Sequence, residues 1–276
     1  MLTLEQKQLI QEKAKAIRVN IVKAVTAAKS GHPGGSLSIA DVMSLLYFQE
    51  MNVNPNEPKD PNRDRFVLSK GHAAPALYAT LAEKGFFPTE ELLNLRKIDH
   101  ILQGHPDMKY IPGVDMSTGS LGQGISAACG MALAGKIDNA DYHVYSILGD
   151  GELEEGQVWE AAMFAGFYKL NNLTAFVDFN GLQIDGDITK VLSPLPIPEK
   201  FKAFNWNVIE VNGHDFDELH NAIEAAKAFT EGPTCIVMHT VKGKGVEEME
   251  GQAGWHGKAP SEEQGVAFVN EIMGVQ

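Results

Sequence analysis

Two apolar runs of strand length, one on either side of a helical stretch, constrain the fold of this chain more than any other feature. The runs are YHVYSIL at residues 142–148 and LTAFVDF at 173–179, and Leu153–Tyr168 between them has the spacing of a helix. Strands that are apolar almost throughout are buried on both faces, and a long helical connection lays the second strand parallel to the first. The same alternation extends in both directions. Arg65–Ser69, Asn207–Val211 and Thr234–Thr240 are further strand candidates, and Ala73–Lys84, Thr89–Leu95, Leu121–Lys136 and Asp215–Phe229 are candidate helices. Asp215 with Glu218 three residues on is expected to form a capping box for the last of these. The pattern predicts the α/β class, a doubly wound parallel sheet with helices on both faces.

Ahead of the first strand, Ile10, Ala14, Ile17, Ile21, Val25 and Ala28 recur at spacings of three and four. Residues 3–29 are therefore expected to form an amphipathic helix closed by Ser30, Gly31 and Pro33. GHPGGS reads as a loop, and a second helix runs from about Ile39 to Glu50 before Asn54, Pro55 and Pro58 break it. No repeat, low-complexity segment or linker interrupts the sequence, so residues 1–276 are expected to be a single domain with an amino-terminal helical segment. Residues 98–120, 181–196 and 241–260 are irregular and long enough to be functional loops.

The 23 Lys+Arg against 36 Asp+Glu give a formal charge of −13, which argues against a general nucleic-acid binder or a protein of anionic membranes. Any phosphate must be held locally. The two cysteines, Cys129 and Cys235, sit in apolar stretches and read as small buried thiols, not as a disulfide framework. Met1–Arg18 is charged throughout, unlike a signal peptide, and no uncharged apolar run reaches ~18 residues. The expectation is a reducing cytoplasm.

In such a sheet Asp150, within GDG, lies just past one strand and Asn180 just past another, both at the carboxyl edge, where they can converge. A carboxylate, an amide oxygen and a nearby main-chain carbonyl are hard oxygen ligands suited to Mg²⁺ or Ca²⁺, with water and diphosphate oxygens completing the shell. Gly149 and Gly151 would let the backbone approach those oxygens, and the helix from Leu153 would turn its amino-terminal dipole toward them. Taken alone, GDG reads as a tight turn in which Asp150 caps that helix. Asn180 at the matching place on the next strand favours the ion.

Histidine adds a second signal. With 27 glycines and 9 histidines, about one Gly-His pair is expected by chance, yet four occur, at His32, His72, His105 and His214. His32, His72 and His105 sit in irregular segments or at a helix start, where the glycine leaves the ring open to a ligand, and His256 in GWHGKAP shares that character. Four such residues in one domain beside an ion-diphosphate site suggest hydroxyl recognition and proton handling. His214 is assigned to the cap of the helix it precedes, and His100, His143, His220 and His239 show no special context. GMALAGKI has P-loop spacing but Ile137 replaces the required Ser or Thr, and GSLGQG follows no strand, so neither is read as a nucleotide site. No GxSxG, HExxH or Cys/His zinc pattern is present.

Taken together, SGHPGGSLS, RFVLSKGHAAPALY, GHP, STGSLGQGIS, GDGELEEGQVWEA followed by Asn180, and TVKGKGV with WHG resemble the transketolase family. The resemblance covers nearly the whole chain, in the family's order. It implies the amino-terminal, diphosphate-binding domain of a thiamine diphosphate enzyme. Asp150, Asn180 and the main-chain oxygen of Leu182 would bind a divalent metal, Mg²⁺ or else Ca²⁺ or Mn²⁺, with Gly151 against the diphosphate. His72, Gly119, Leu121 and Lys242 would line the cofactor. His32, His105 and His256 would face the sugar and the reacting carbon.

In full-length family members a second domain supplies the glutamate that protonates the aminopyrimidine ring, an aromatic residue stacked on it, and the arginines that hold the sugar phosphate. Nothing after residue 240 matches that domain. The resemblance therefore implies the amino-terminal subunit of a split transketolase, paired with a separately encoded carboxy-terminal subunit, two copies of each (α2β2), and inactive alone. Glu155 would support the partner's glutamate across the interface. The implied reaction moves a two-carbon ketol unit from a ketose phosphate to an aldose phosphate. One alternative is the α chain of a 2-oxo acid dehydrogenase, which shares the GDG and the later Asn but does not combine SGHPGG, SKGHA and WHG. The other is a noncatalytic relative, against which the intact Asp150, Asn180 and histidine set weighs.

Overall fold

The computed structural model describes residues 1–275. Five strands form one parallel sheet: β1 (Arg65–Leu68), β2 (Val144–Gly149), β3 (Leu173–Phe179), β6 (Asn207–Asn212) and β7 (Thr234–His239). All five expected strands form. Their spatial order is β1-β2-β3-β7-β6, so the chain steps in one direction through β3, crosses to the far edge and returns to β7. A short antiparallel pair, β4 (Leu182–Gln183) with β5 (Gly186–Asp187), stands apart from this sheet.

Alternate strand residues enter two separate cores. Phe66, Leu68, Tyr145, Ile147, Phe176, Ile236 and Met238 pack on one face, and Val67, Val144, Leu148, Ala175, Val177, Cys235 and Val237 on the other. The first face is covered by α1 (Leu4–Ala28), α2 (Pro33–Leu37), α3 (Ala40–Leu45), α4 (Ala74–Lys84), α9 (Phe216–Ala228) and α10 (Glu262–Met273). The second is covered by α5 (Gln123–Asp138), α6 (Gly156–Phe167) and α8 (Ile197–Ala203). Right-handed crossovers put α5, α6 and α8, which lead into β2, β3 and β6 in one direction along the sheet, on one face, and α9 of the returning β6–β7 connection on the other; α4, earlier in the β1–β2 connection, joins α9's face with the helices outside the crossovers.

Several local readings need correction. GHPGGS is not a loop: Pro33 opens α2, where its fixed φ suits a first helical residue and its missing N–H is not needed. The expected helix from Ile39 is divided into α3 and a π-helical turn, Leu46–Glu50. Thr89–Asn94 is a 3₁₀ helix, and the helix after GDG begins at Gly156, behind a 3₁₀ turn at Gly151–Glu154. Leu121 lies ahead of α5, whose first residue is Gln123. The segment 181–196 carries the β4–β5 pair and a four-residue helix, α7 (Ile188–Val191). Both cysteines are buried free thiols. No helix among the described residues is long and apolar enough to cross a membrane.

Candidate active site

Four adjacent strands deliver their carboxyl ends to one place. Lys70 and His72 follow β1, Asp150 follows β2, Asn180 follows β3, and Thr240 and Lys242 follow β7. The register pairs Gly149 with Asp178 and Asp178 with Met238, so the three central strands end nearly level. A cleft there is lined by Gly35, His72, Leu121, Asp150, Gly151, Asn180, Leu182, Ile184, Lys242 and His256 among others.

At the floor of this edge is Asp178, which is fully buried. Its Oδ2 accepts from Lys70 Nζ at 2.6 Å, Ser38 Oγ at 2.6 Å and Asn180 Nδ2 at 3.1 Å, while Oδ1 accepts from the Thr240 hydroxyl. Burial raises the Asp178 carboxyl, but the Lys70 ammonium and the donors outweigh it and hold the group below the usual range. The bond to Asn180 Nδ2 fixes that amide, so its Oδ1 is presented away from the hub and accepts from Leu182 N at 3.2 Å. Glu152 plays the corresponding part under the loops: it accepts from Ser69 Oγ, from Gly122 N at 2.9 Å and from Gly149 N at 3.0 Å.

Asp150 and Asn180 line the same cleft at this edge. Asp150 Oδ2 accepts from Gly181 N, the residue after Asn180, at 2.6 Å, and Oδ1 from Gly151 N at 2.8 Å. Asp150 is 2% exposed and no cationic side chain is among its hydrogen-bond partners. Burial, then the negative charge of Asp178, push its carboxyl up to about 6. The Leu182 carbonyl accepts from Lys242 Nζ at 3.1 Å, and burial followed by the repulsion of Lys70 brings the Lys242 ammonium down to about 8. A buried carboxylate bonded only by backbone N–H groups, with the Lys242 ammonium near it but not hydrogen-bonded to it, in one cleft with an amide and a main-chain carbonyl, is a donor set that fits a hard divalent ion. Gly151 borders the same space, and Leu121, Leu182 and Ile184 give it apolar walls.

Three imidazoles gather above this edge. Ring centroids are 5.2 Å apart for His32 and His72, 5.5 Å for His32 and His256, and 5.0 Å for His72 and His256. His256 Nδ1 lies 3.0 Å from Lys242 Nζ. Burial first, and neighbouring cations second, lower His32 to about 4 and His256 to about 3, and put His72 well below the usual histidine range. All three are neutral at pH 7 and offer N–H donors without adding charge. His105 stands apart from the trio, exposed, with its ring against Gly119: a Cβ on that glycine would lie 3.2 Å from the ring. Gly119 in turn abuts Gly71, where a Cβ would come within 2.7 Å of the Gly119 nitrogen, so the glycine before His72 is demanded by a close backbone approach.

One assignment changes and one residue lies apart from the cleft. Glu155 is an exposed amino-terminal cap residue of α6 that makes no side-chain capping bond and does not line the cleft; its Cβ faces Gly122. His214 does not cap α9, which Asp215 does through Asp217 N and Glu218 N. Instead His214 Nδ1 bonds Asp41 at 2.8 Å and Nε2 accepts from Val241 N at 2.9 Å, bracing the segment that carries Lys242. Asp41 is itself gripped by both terminal nitrogens of Arg18, at 2.9 and 2.6 Å. His100, His143, His220 and His239 are bonded to Glu91, Thr174, Glu50 and Glu210. Sequence reasoning passed over Asp178, Lys70 and Glu152. Asp178 had a readable signal, since a carboxylate inside the apolar run LTAFVDF must be paired if that strand is covered on both faces.

The transketolase thiamine diphosphate binding domain matches residues 9–276. This chain belongs to the transketolase family. It is 47% identical to the 6-deoxy-6-sulfo-D-fructose transketolase subunit SqwG of Clostridium sp. (strain MSTE9), over 97% of this chain and 98% of that protein. It is 42% identical to an apulose-4-phosphate transketolase subunit of Phocaeicola vulgatus, over 97% of this chain and 95% of that protein. The crystal structure of transketolase from Campylobacter jejuni superposes with a TM-score of 0.91 at 36% identity, covering 98% of this chain but 43% of that one. The chain thus has the span of the two subunit relatives and under half that of the full-length enzyme. A transketolase-type transferase takes precedence over the 2-oxo acid dehydrogenase and noncatalytic alternatives.

Proposed function

We propose that this chain is the amino-terminal subunit of a two-subunit transketolase. With a separately encoded carboxy-terminal subunit, as two copies of each, it transfers a two-carbon ketol unit from a ketose phosphate to an aldose phosphate in the cytoplasm. The observation that carries the reading is that Asp150, Asn180 and Leu182 line one cleft at the β2–β3 edge, which also holds His72 and His256 beside His32. The two subunit relatives, matched almost end to end, support the split arrangement. Their names carry two different ketoses, so the donor is proposed by class, a ketose with an anionic group at its far end.

In this role Asp150, Asn180 and the Leu182 carbonyl hold the divalent ion, with Gly151 beside the diphosphate and Gly119 and Leu121 beside the organic part of the cofactor. Thiamine diphosphate supplies, when bound, the electron sink that the carbon–carbon cleavage needs. His32, His72 and His256 donate to oxygens whose negative charge grows along the reaction, an effect worth roughly 2.7–4 kcal/mol for each donor so placed. His105 meets the sugar from the outer side. Lys242, bonded to His256 and to Leu182, holds the histidine against the cation's backbone ligand. Glu155, exposed on α6, faces the partner subunit.

The direct test mixes the purified chain with thiamine diphosphate, Mg²⁺ and a ketose phosphate, with and without the carboxy-terminal subunit. Ketol transfer is expected only with both. Robust transfer by the chain alone would overturn the two-subunit reading.

A further inference from the structure

Arg96 lies beside the histidines and has no part in the mechanism above. It follows the 3₁₀ helix Thr89–Asn94 and takes a left-handed backbone conformation at φ 60°, unusual for a residue with a side chain. Its N–H donates to the Leu102 carbonyl at 2.7 Å, which closes the loop behind it. The guanidinium then reaches three groups: Ser30 Oγ at 3.2 Å, the Gly104 carbonyl at 3.4 Å and His32 Nδ1 at 3.5 Å. None of these partners is a carboxylate, although the chain carries a net charge of −13. Gly104 packs closely against the guanidinium: a Cβ there would lie 3.0 Å from Arg96 Cζ.

We infer that Arg96 is a positioning residue that sets the tautomer of His32 and ties the His32 segment to the His105 loop. A guanidinium only donates, so its approach to His32 Nδ1 makes that nitrogen the acceptor and leaves the ring proton on Nε2. The Nε2 edge lies toward Gly257, next to His256: a Cβ on Gly257 would sit 3.7 Å from His32 Nε2. His32 therefore presents an N–H donor, and not a basic lone pair, to the space beside His256. The Gly104 contact fixes the residue before His105 to the same guanidinium. Arg96 also lowers both His32 and His105, after the larger effect of burial; the other groups facing His32 are His105, Lys242 and the rings of His72 and His256.

The catalytic meaning of this arrangement rests on the ketol-transfer reading, whereas the tautomer does not, and the test separates the two. Nitrogen-15 histidine spectra of the whole chain, with His32 assigned through His32→Gln, read protonation at each ring nitrogen directly. In the wild type, His32 is expected to be neutral from pH 6 to 8 with Nδ1 bare and Nε2 protonated. In Arg96→Met its midpoint rises by about half a pH unit and the two nitrogens move toward a tautomer average, while Arg96→Lys keeps the low midpoint. In the assembled enzyme Arg96→Met lowers kcat by about tenfold and shifts the acid limb of the pH profile, and Arg96→Lys restores part of the rate. A wild-type proton on Nδ1, or a His32 spectrum unchanged in Arg96→Met, would overturn the inference. An assembled wild type with no ketol transfer would instead sink the functional reading and leave the spectra to decide the tautomer.

Discussion

Replacing Asp178 with asparagine tests whether the buried hub governs the site. Asp178 and Lys70 form an ion pair at 2.6 Å with side chains 0% and 2% exposed, and no other anion is among the hydrogen-bond partners of that ammonium. An asparagine can keep its oxygen at the Oδ2 position, toward Lys70, Ser38 and Asn180, and turn its NH₂ to the Thr240 hydroxyl, which can accept. The hydrogen-bond geometry then survives and the lost quantity is charge. Stripping the counter-ion from a buried cation costs about 3–5 kcal/mol. For a chain of this length each kcal/mol moves Tm by about 2–3 °C, so Tm is expected to fall by about 6–15 °C.

Urea unfolding followed by circular dichroism measures the loss, and Lys70→Met in the same background shows its origin. Removing both charges should return at least about 2 kcal/mol, since an apolar replacement of a buried ion pair is often neutral. A single variant that loses under about 1 kcal/mol, or a double variant no more stable than the single one, would refute this account of the hub.

Two further outcomes follow from the same geometry. Asp150 has a folded-state pKa of about 6 against an ordinary value of 3.8, so the unfolded chain gives up its proton first as pH rises and the metal-free protein loses stability between about pH 4 and 6. Relative to wild type, Asp150→Asn should gain up to about 3 kcal/mol between pH 4 and pH 8 in chelator, measured by denaturant titration at each pH; a constant difference would show that the carboxylate is not strained by burial. Gly71→Ala forces a methyl against the Gly119 backbone, and overpacking of this kind costs about 1–3 kcal/mol and should weaken cofactor binding with it. A variant with wild-type Tm and affinity would mean that the two loops do not need that close approach.

The central strands β2, β3 and β7 were legible because they are covered on both faces, which forces a nearly continuous apolar run, and parallel strands separated by helices leave few topologies. That was enough to put Asp150 and Asn180 at one edge. The local elements were harder. Pro33 and two glycines look like a loop until the burial of α2 is known, and the π-helical turn at Leu46–Glu50 has no sequence signature. His32, His72 and His256 stood out by their glycine neighbours, but their mutual distances depend on loops from three elements far apart in the chain. Arg96 could not be read at all. Its position beside His32 depends on a left-handed backbone at a non-glycine residue and on the Leu102 carbonyl, both products of tertiary packing.

Calorimetric titration of thiamine diphosphate into the assembled protein, with Mg²⁺ and with chelator, tests the ion site at the β2–β3 edge most directly when wild type and Asp150→Ala are compared. The wild type should bind only with Mg²⁺, and Asp150→Ala should show no Mg²⁺-dependent binding while retaining its fold. Identical isotherms for the two proteins would contradict the assignment of Asp150, Asn180 and the Leu182 carbonyl to the ion.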